Sequence, residues 1–365
     1  MLFYLLPQLA NTAPFLGALN VTRYITFRTA AASLTAFAIS MIFGPWLIRT
    51  LRDFQIGQII RQEGPQSHRA KAGTPTMGGL LILTAAVVPT LLWADLSSPY
   101  IWIAVLATVG FGMVGFLDDY LKITRRSHHG LIPRYKMLGQ IIVALGVGIA
   151  VLQLSQQNPP LYNTRLIFPF FKTLIPDLGW GYVVFAVLVL VFASNGVNMT
   201  DGLDGLAIST FAVSAAAFTA LAYVTGHAEF AKYLLLIRFP TGELTIFCGA
   251  LVGASLGFLW YNCYPAEIFM GDVGSLSLGG ALGTVAILIK QELLLPIVGG
   301  IFVLEGMSVI IQVASFRLTG KRVFKMAPLH HHFELIGWSE PKVITRFLIA
   351  AIIFALFSLA TLKLR

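Results

Sequence analysis

Apolar runs of roughly 20 residues, the length a helix needs to cross a hydrocarbon core, recur along the whole chain. They lie near 27–48, 75–94, 99–117, 137–154, 181–198, 206–224, 244–261, 276–289, 293–316 and 343–362. Short polar segments separate them. The pattern predicts an all-α, polytopic integral membrane protein with about ten transmembrane helices. The loops are too short to hold a soluble domain, and no repeat or low-complexity segment breaks the chain. Residues 1–365 therefore read as a single transmembrane domain.

Composition sharpens this reading, because 57% hydrophobic against 11% charged residues excludes a soluble globular domain. The chain opens MLFYLLPQLA with no basic residue ahead of its apolar stretch, which argues against a cleaved secretory signal. Orientation follows from the basic residues: loops 49–72, 118–136 and 317–342 hold 15 of the 25 Lys and Arg and should face the cytoplasm. Ten spans then place both termini on the periplasmic side. The net charge of +9 is explained by this flanking pattern, so nucleic acid is not an expected partner. Cys248 and Cys263 fall about 22 Å apart on one helix, too far to pair, and neither has metal or redox spacing.

Four polar segments interrupt the apolar pattern: GFLDDYLK at 115–122, NMTDGLDGLA at 198–207, FMGDVGSL at 269–276 and MAPLHHHFEL at 326–335. All four fall at predicted cytoplasmic helix ends. Charge near a bilayer is costly, so such clusters mark chemistry. Asp118 and Asp119 are adjacent and diverge by about 100° on a helix, implying two different jobs; Asp118 and Lys122 share a face, which alone would suggest an intrahelical ion pair. Asp201 and Asp204 flank glycines, with a helix cap at Asp201 as the plainer reading. Asp272 sits between Gly271 and Gly274, where a cap is again possible. Five aspartates gathered on one side repel one another unless a cation intervenes, and magnesium fits a site of carboxylates completed by water and phosphate.

Consecutive His330, His331 and His332 cannot easily converge on one zinc ion; beside Lys321, Arg322 and Lys325 they suit phosphate or sugar oxygens instead. A surface cluster facing headgroups is the plainer alternative. Glu305, inside a predicted span, reads first as a helix-packing hydrogen bond to Gln312 or a neighbour. The segment GPQSHRAKAGTPTMGG at 64–79 lacks the ending of a Walker loop. It reads as a positive-inside anchor, with Lys71 and Thr76 placed to bind an anion at a helix start.

Together PTMGG, GFLDDYLK, RYKMLGQ, NMTDGLDGLA, FMGDVGSLSLGG and MAPLHHHFELIGW resemble the polyprenyl-phosphate N-acetylhexosamine-1-phosphate transferases over nearly the whole chain. MAPLHHHFEL points to the branch that handles a muramoyl-pentapeptide. The resemblance implies a Mg2+-dependent transfer of phospho-N-acetylmuramoyl-pentapeptide from UDP-N-acetylmuramoyl-pentapeptide to undecaprenyl phosphate, in a bacterial cytoplasmic membrane. A relative that transfers N-acetylglucosamine-1-phosphate is the alternative. A transporter fits less well, since the polar residues gather at one face. By resemblance, Asp272 is the metal ligand, Asp118 and Asp119 handle the lipid phosphate with Asp118 as base, and Asp201 sets phosphate geometry. Lys71, Asn198, Asp204 and Asn262 would line the nucleoside pocket, His330, His331 and His332 would hold pyrophosphate and sugar, and Lys122 and Lys136 would neutralise phosphate. Expected partners are the two substrates, membrane lipid and, as an option, a second copy in a homodimer.

Overall fold

A computed structural model describes residues 1–10, 14–54, 73–125, 130–157, 162–171, 174–234 and 239–363. Among them the chain is helical: α1 Leu2–Ala10, α2 Ile25–Asp53, α3 Gly79–Trp93, α4 Pro99–Thr124, α5 Pro133–Gln157, α6 Gly181–Thr200, α7 Leu206–Gly226, α8 Ala228–Tyr233, α9 Leu244–Asn262, α10 Gly271–Leu288, α11 Leu295–Val298, α12 Gly300–Thr319, α13 Leu329–Leu335 and α14 Glu340–Ala360. Nine of these are long and apolar enough to cross a membrane, and α3 is a shorter apolar helix. A helix occupies every predicted span. Two boundaries differ from the apolar pattern. The expected span 293–316 is broken at Gly299 into α11 and α12, and α10 begins at Gly271, so Asp272 lies in its first turn.

The bundle is built around α9 and α10, whose windows are 78% and 89% buried while α2, α12 and α14 bury less than a third. Association of apolar helices in lipid depends on close packing and small residues rather than on hydrophobicity. At Gly115 of α4 a Cβ would fall 2.1 Å from the Asp272 carbonyl oxygen, and at Gly79 of α3 it would fall 2.0 Å from the Gly274 nitrogen. Only glycine admits these contacts. They draw α3 and α4 against the first turn of α10.

At this end the connecting segments bind each other. Phe269 N–H donates to Pro75 O at 2.8 Å and Gly78 N–H to Phe269 O at 2.9 Å, so the PTMGG segment is laid along the entry to α10. Ala266 N–H donates to Asp204 Oδ2 at 3.0 Å, and Asp204 N–H to Glu340 Oε1 at 2.9 Å. The ends of α4, α6 and α9 and the starts of α3, α5, α7, α10 and α14 are thereby gathered together.

The opposite end holds α1 and the close of α14. The Met1 ammonium donates to Leu91 O and Leu92 O at 3.0 and 3.1 Å. Two buried ion pairs lie here that the sequence pattern did not announce. Arg28 meets Glu243 at 2.7 Å. Lys290 meets Glu292 at 3.0 Å with both side chains fully buried, and its ammonium lies 4.1 Å from the Tyr182 ring centre. Partnering offsets part of the desolvation cost of such charges in a low-dielectric interior. Both cysteines are free, Cys248 buried and Cys263 exposed, as their spacing required.

Candidate active site

Asp118 and Asp119 lie on the last turns of α4, Asp272 on the first turn of α10, Lys122 at the end of α4 and Lys136 on the first turn of α5. Each of the three carboxylates keeps one oxygen on a donor of the protein. Leu131 N–H donates to Asp118 Oδ1 at 2.8 Å, Val273 N–H to Asp119 Oδ2 at 3.1 Å, and Asn198 Nδ2 to Asp272 Oδ1 at 2.6 Å. The other three oxygens converge on the Lys122 ammonium. It lies 2.6 Å from Asp118 Oδ2, 3.2 Å from Asp119 Oδ1 and 2.7 Å from Asp272 Oδ2. Lys136 adds a second ammonium, 2.8 Å from Asp272 Oδ2.

Adjacent side chains diverge by about 100° on a helix, yet Asp118 and Asp119 meet one ammonium. Lys122 stands four residues after one and three after the other, the two spacings that share a helix face, so both carboxylates reach the same point. The intrahelical Asp118–Lys122 pair exists, but as one edge of a larger cluster.

Asp118, Asp119 and Asp272 offer one oxygen each within 4.8 Å of one another. With magnesium–oxygen bonds near 2.1 Å, ligands on opposite sides of the ion stand about 4.2 Å apart. Adjacent ligands stand about 3.0 Å apart in the same octahedron, so the three carboxylates are near enough to share one hard cation once their side chains close around it. An all-oxygen donor set suits a hard divalent cation better than zinc. Gly271, at φ +71°, makes the sharp entry into α10, and a Cβ there would sit 2.6 Å from Asp119 Oδ2 and 3.1 Å from Thr76 Oγ1. Thr76 is thereby placed at the edge of the cluster.

Asp201 closes α6 rather than capping α7, whose first turn is entered through Gly205 at φ +76°. The Asp201 carboxyl is pushed up to about 8, by burial and then by the negative charge of Asp272, Asp119 and Asp204. A bound cation would oppose that rise. Asp272 does not cap α10 either; it contributes negative charge at the first turn, where the helix dipole favours it.

Other expected residues also make bonds within the protein. Asn198 Nδ2 bridges Asp272 and Ser275 Oγ, the latter at 2.8 Å. Asn262 is buried, accepting from Gly205 N–H at 3.1 Å and donating to Ile268 O at 2.8 Å. The three histidines point three ways. His330 is buried against Glu305, His331 Nδ1 lies 2.8 Å from Glu334, and His332 Nδ1 accepts from Lys325 N–H at 3.1 Å. Glu305 thus meets His330, not Gln312, which instead binds the backbone of Val323 and Phe324. Lys71 lies outside the described residues.

Two residues at the site were not singled out from sequence. Asn195 Nδ2 donates to Gln140 Oε1 at 2.6 Å, joining α6 to α5 one turn from both Asn198 and Lys136. Spacing carried a signal for them: Asn195 precedes Asn198 by three, and Gln140 follows Lys136 by four, each sharing a face with its neighbour.

Comparison with known proteins shows the family. Residues 101–290, which include all three converging aspartates, match the model of glycosyl transferase family 4. Residues 71–83, carrying the PTMGG segment, match phospho-N-acetylmuramoyl-pentapeptide-transferase signature 1. The chain is 58% identical to the phospho-N-acetylmuramoyl-pentapeptide-transferase of Desulfatibacillum aliphaticivorans. It is 57% identical to the proteins of that name from Koribacter versatilis and Acidobacterium capsulatum. All three alignments cover the whole of both chains. With its motifs, its helical membrane bundle and its aspartate cluster, the chain belongs to glycosyl transferase family 4 and, within it, to the phospho-N-acetylmuramoyl-pentapeptide-transferases.

Proposed function

We propose that this protein transfers phospho-N-acetylmuramoyl-pentapeptide from UDP-N-acetylmuramoyl-pentapeptide to undecaprenyl phosphate at the Asp118, Asp119 and Asp272 cluster, releasing UMP and forming lipid I. The observation that carries the reading is the convergence of three carboxylate oxygens and two ammonium groups at one end of a lipid-embedded bundle. A soluble diphosphate and a lipid phosphate can both reach such a place.

An oxygen of the acceptor phosphate attacks the sugar-bearing phosphorus of the UDP substrate, and the bond to UMP breaks. One phosphoanhydride replaces another, so no external energy source is needed, and the protein must chiefly position and neutralise its substrates. Asp272, with Asp118 and Asp119, would hold a magnesium ion, which when bound would supply charge neutralisation at the diphosphate. Lys122 and Lys136 bring further positive charge to the phosphates. Asp118 orients the attacking phosphate, whose second pKa near 6 leaves it mostly ionised at neutral pH. Asp201 contributes to phosphate geometry from the end of α6.

Asn198, Asp204 and Asn262 brace the walls of the nucleoside pocket, consistent with their bonds to Asp272, Ala266 and Ile268. Thr76 approaches it from the PTMGG side, Lys71 is assigned to it by the family resemblance alone, and His331 and His332 face pyrophosphate and sugar. Pro133, Arg134, Met137, Leu138 and Ile141 line an open apolar groove on α5, the helix that carries Lys136. This groove takes the start of the polyprenyl tail. The basic loops support a site on the cytoplasmic side of a bacterial inner membrane, where the UDP-linked substrate is made.

The test is release of UMP by purified protein given undecaprenyl phosphate, Mg2+ and either the muramoyl-pentapeptide or the N-acetylglucosamine UDP-sugar. Turnover with the first alone is expected. Preference for the second would move the chain to the other glycan branch.

A further inference from the structure

Glu305 is an acid inside a membrane-spanning helix, and its side chain is fully buried. An isolated carboxylate there is costly, so its partner is informative. Glu305 Oε1 accepts from the His330 backbone N–H at 3.2 Å. Its Oε2 lies 3.2 Å from His330 Nδ1, and neither of these two atoms has a hydrogen-bond partner among the described residues. Both ends of the carboxylate are therefore directed at one residue.

The far side of the His330 ring meets the turn between α6 and α7. A Cβ on Gly202 would fall 2.2 Å from His330 Nε2 and 2.8 Å from Cε1. Gly202 stands between Asp201 and Asp204, and its backbone conformation is open to any residue, since its φ is not in the left-handed region. What excludes a side chain there is the imidazole. Leu203, Leu206 and Ile301 belong to one apolar cluster, with Leu329 and Phe333 packed against it, so the turn, α12 and α13 also meet through apolar side chains. His330 itself is buried too deeply to touch a substrate.

We infer that Glu305 is a positioning residue, which through His330 holds the Asp201–Asp204 turn in place beside the aspartate cluster. The inference rests on the proposed assignment of Asp201 to phosphate geometry. One intramembrane acid thus links α12 and α13 to the turn that carries a substrate-facing carboxyl. Loss of the link lets the turn shift, which lowers the rate of the chemical step more than the binding of either substrate.

Four variants test it, each measured for UMP release per folded enzyme, KM for both substrates and thermal unfolding. Glu305→Ala should lower kcat at least tenfold with either KM changed less than about threefold. Glu305→Gln should recover most of that rate, because the amide can still accept from the His330 N–H and donate to Nδ1. A merely structural role would lower the melting temperature and yield without altering kcat of the folded fraction. Should Glu305→Ala not fold, the steric pair decides: Gly202→Ala should cost at least tenfold in the wild type and under threefold when His330→Ala has removed the ring. Equal losses in both backgrounds, or wild-type kcat in folded Glu305→Ala, overturn the inference and leave the proposed reaction standing. Unchanged turnover in Asp201→Asn removes the assignment beneath it, and the inference with it.

Discussion

The Lys122 ammonium lies 2.7 Å from the Asp272 carboxylate, across 150 residues of chain. It occupies the point toward which the unshared oxygens of Asp118, Asp119 and Asp272 turn, so a divalent cation and this lysine contend for the same donors. Lys122→Met is expected to lower the Mg2+ concentration needed for half-maximal rate while reducing turnover at saturating Mg2+ by at least tenfold, about 1.4 kcal/mol of barrier. Titrating Mg2+ in the UMP-release assay measures both. A half-saturating concentration that rises would show that the lysine assists the metal and does not compete with it.

Asp272 is the residue on which the cluster turns, since it meets Lys122, Lys136 and Asn198 at once. Asp272→Ala should reduce turnover at least a thousandfold while the protein is still extracted as a folded species, judged by gel filtration in detergent. Near-normal rate in excess Mg2+ would remove Asp272 from the metal site.

The Gln140–Asn195 amide pair fixes α5 against α6, one turn from Lys136. Gln140→Leu leaves the half-buried Asn195 amide with its Val191 O bond alone, at a cost of about 0.5–1.5 kcal/mol. Thermal unfolding should shift down accordingly, and KM for the lipid phosphate should rise as Lys136 loses its register. An unchanged melting temperature would mean that the pair carries no stability.

Sidedness can be read with the exposed native Cys263. In cells, an impermeant thiol reagent should leave Cys263 unmodified until the membrane is opened, as it should a cysteine placed at Lys321. A cysteine at Asp177, in a background lacking Cys263, should react from outside. The opposite pattern would put the aspartates on the wrong side for a UDP-linked substrate.

Direct transfer predicts no covalent intermediate. Enzyme incubated with UDP-N-acetylmuramoyl-pentapeptide and Mg2+, without lipid acceptor, should yield no stoichiometric UMP and no modified aspartate by mass spectrometry. A phospho-sugar adduct on Asp118 or Asp119, formed as fast as turnover, would make that carboxylate a nucleophile.

The membrane class was legible because lipid imposes a simple demand, about 20 apolar residues per crossing, and the chain repeats it. Where the pattern misplaced a boundary, the cause is local. Gly299 interrupts an apolar stretch without changing its hydropathy, so the break between α11 and α12 is invisible to periodicity. Lys290 and Glu292 are buried next to two tyrosines distant in sequence, and no one-dimensional pattern pairs them.

The motifs named the chemistry for a similar reason: carboxylates and lysines are rare in an apolar chain, so they stand out wherever they occur. Sequence by itself determined the class, the family resemblance and the residues that gather at one end. Only the tertiary structure decided how they are arranged. It brought Asp118 and Asp119 onto one ammonium instead of apart, set Asn198 on Asp272, and turned His330 away from the pocket toward Glu305. These outcomes depend on backbone approaches such as Gly115 against Asp272 and Gly202 against His330, which are distances between helices. Hydropathy and spacing describe a single helix, and the placement of one helix against another is settled by packing that the linear pattern does not contain.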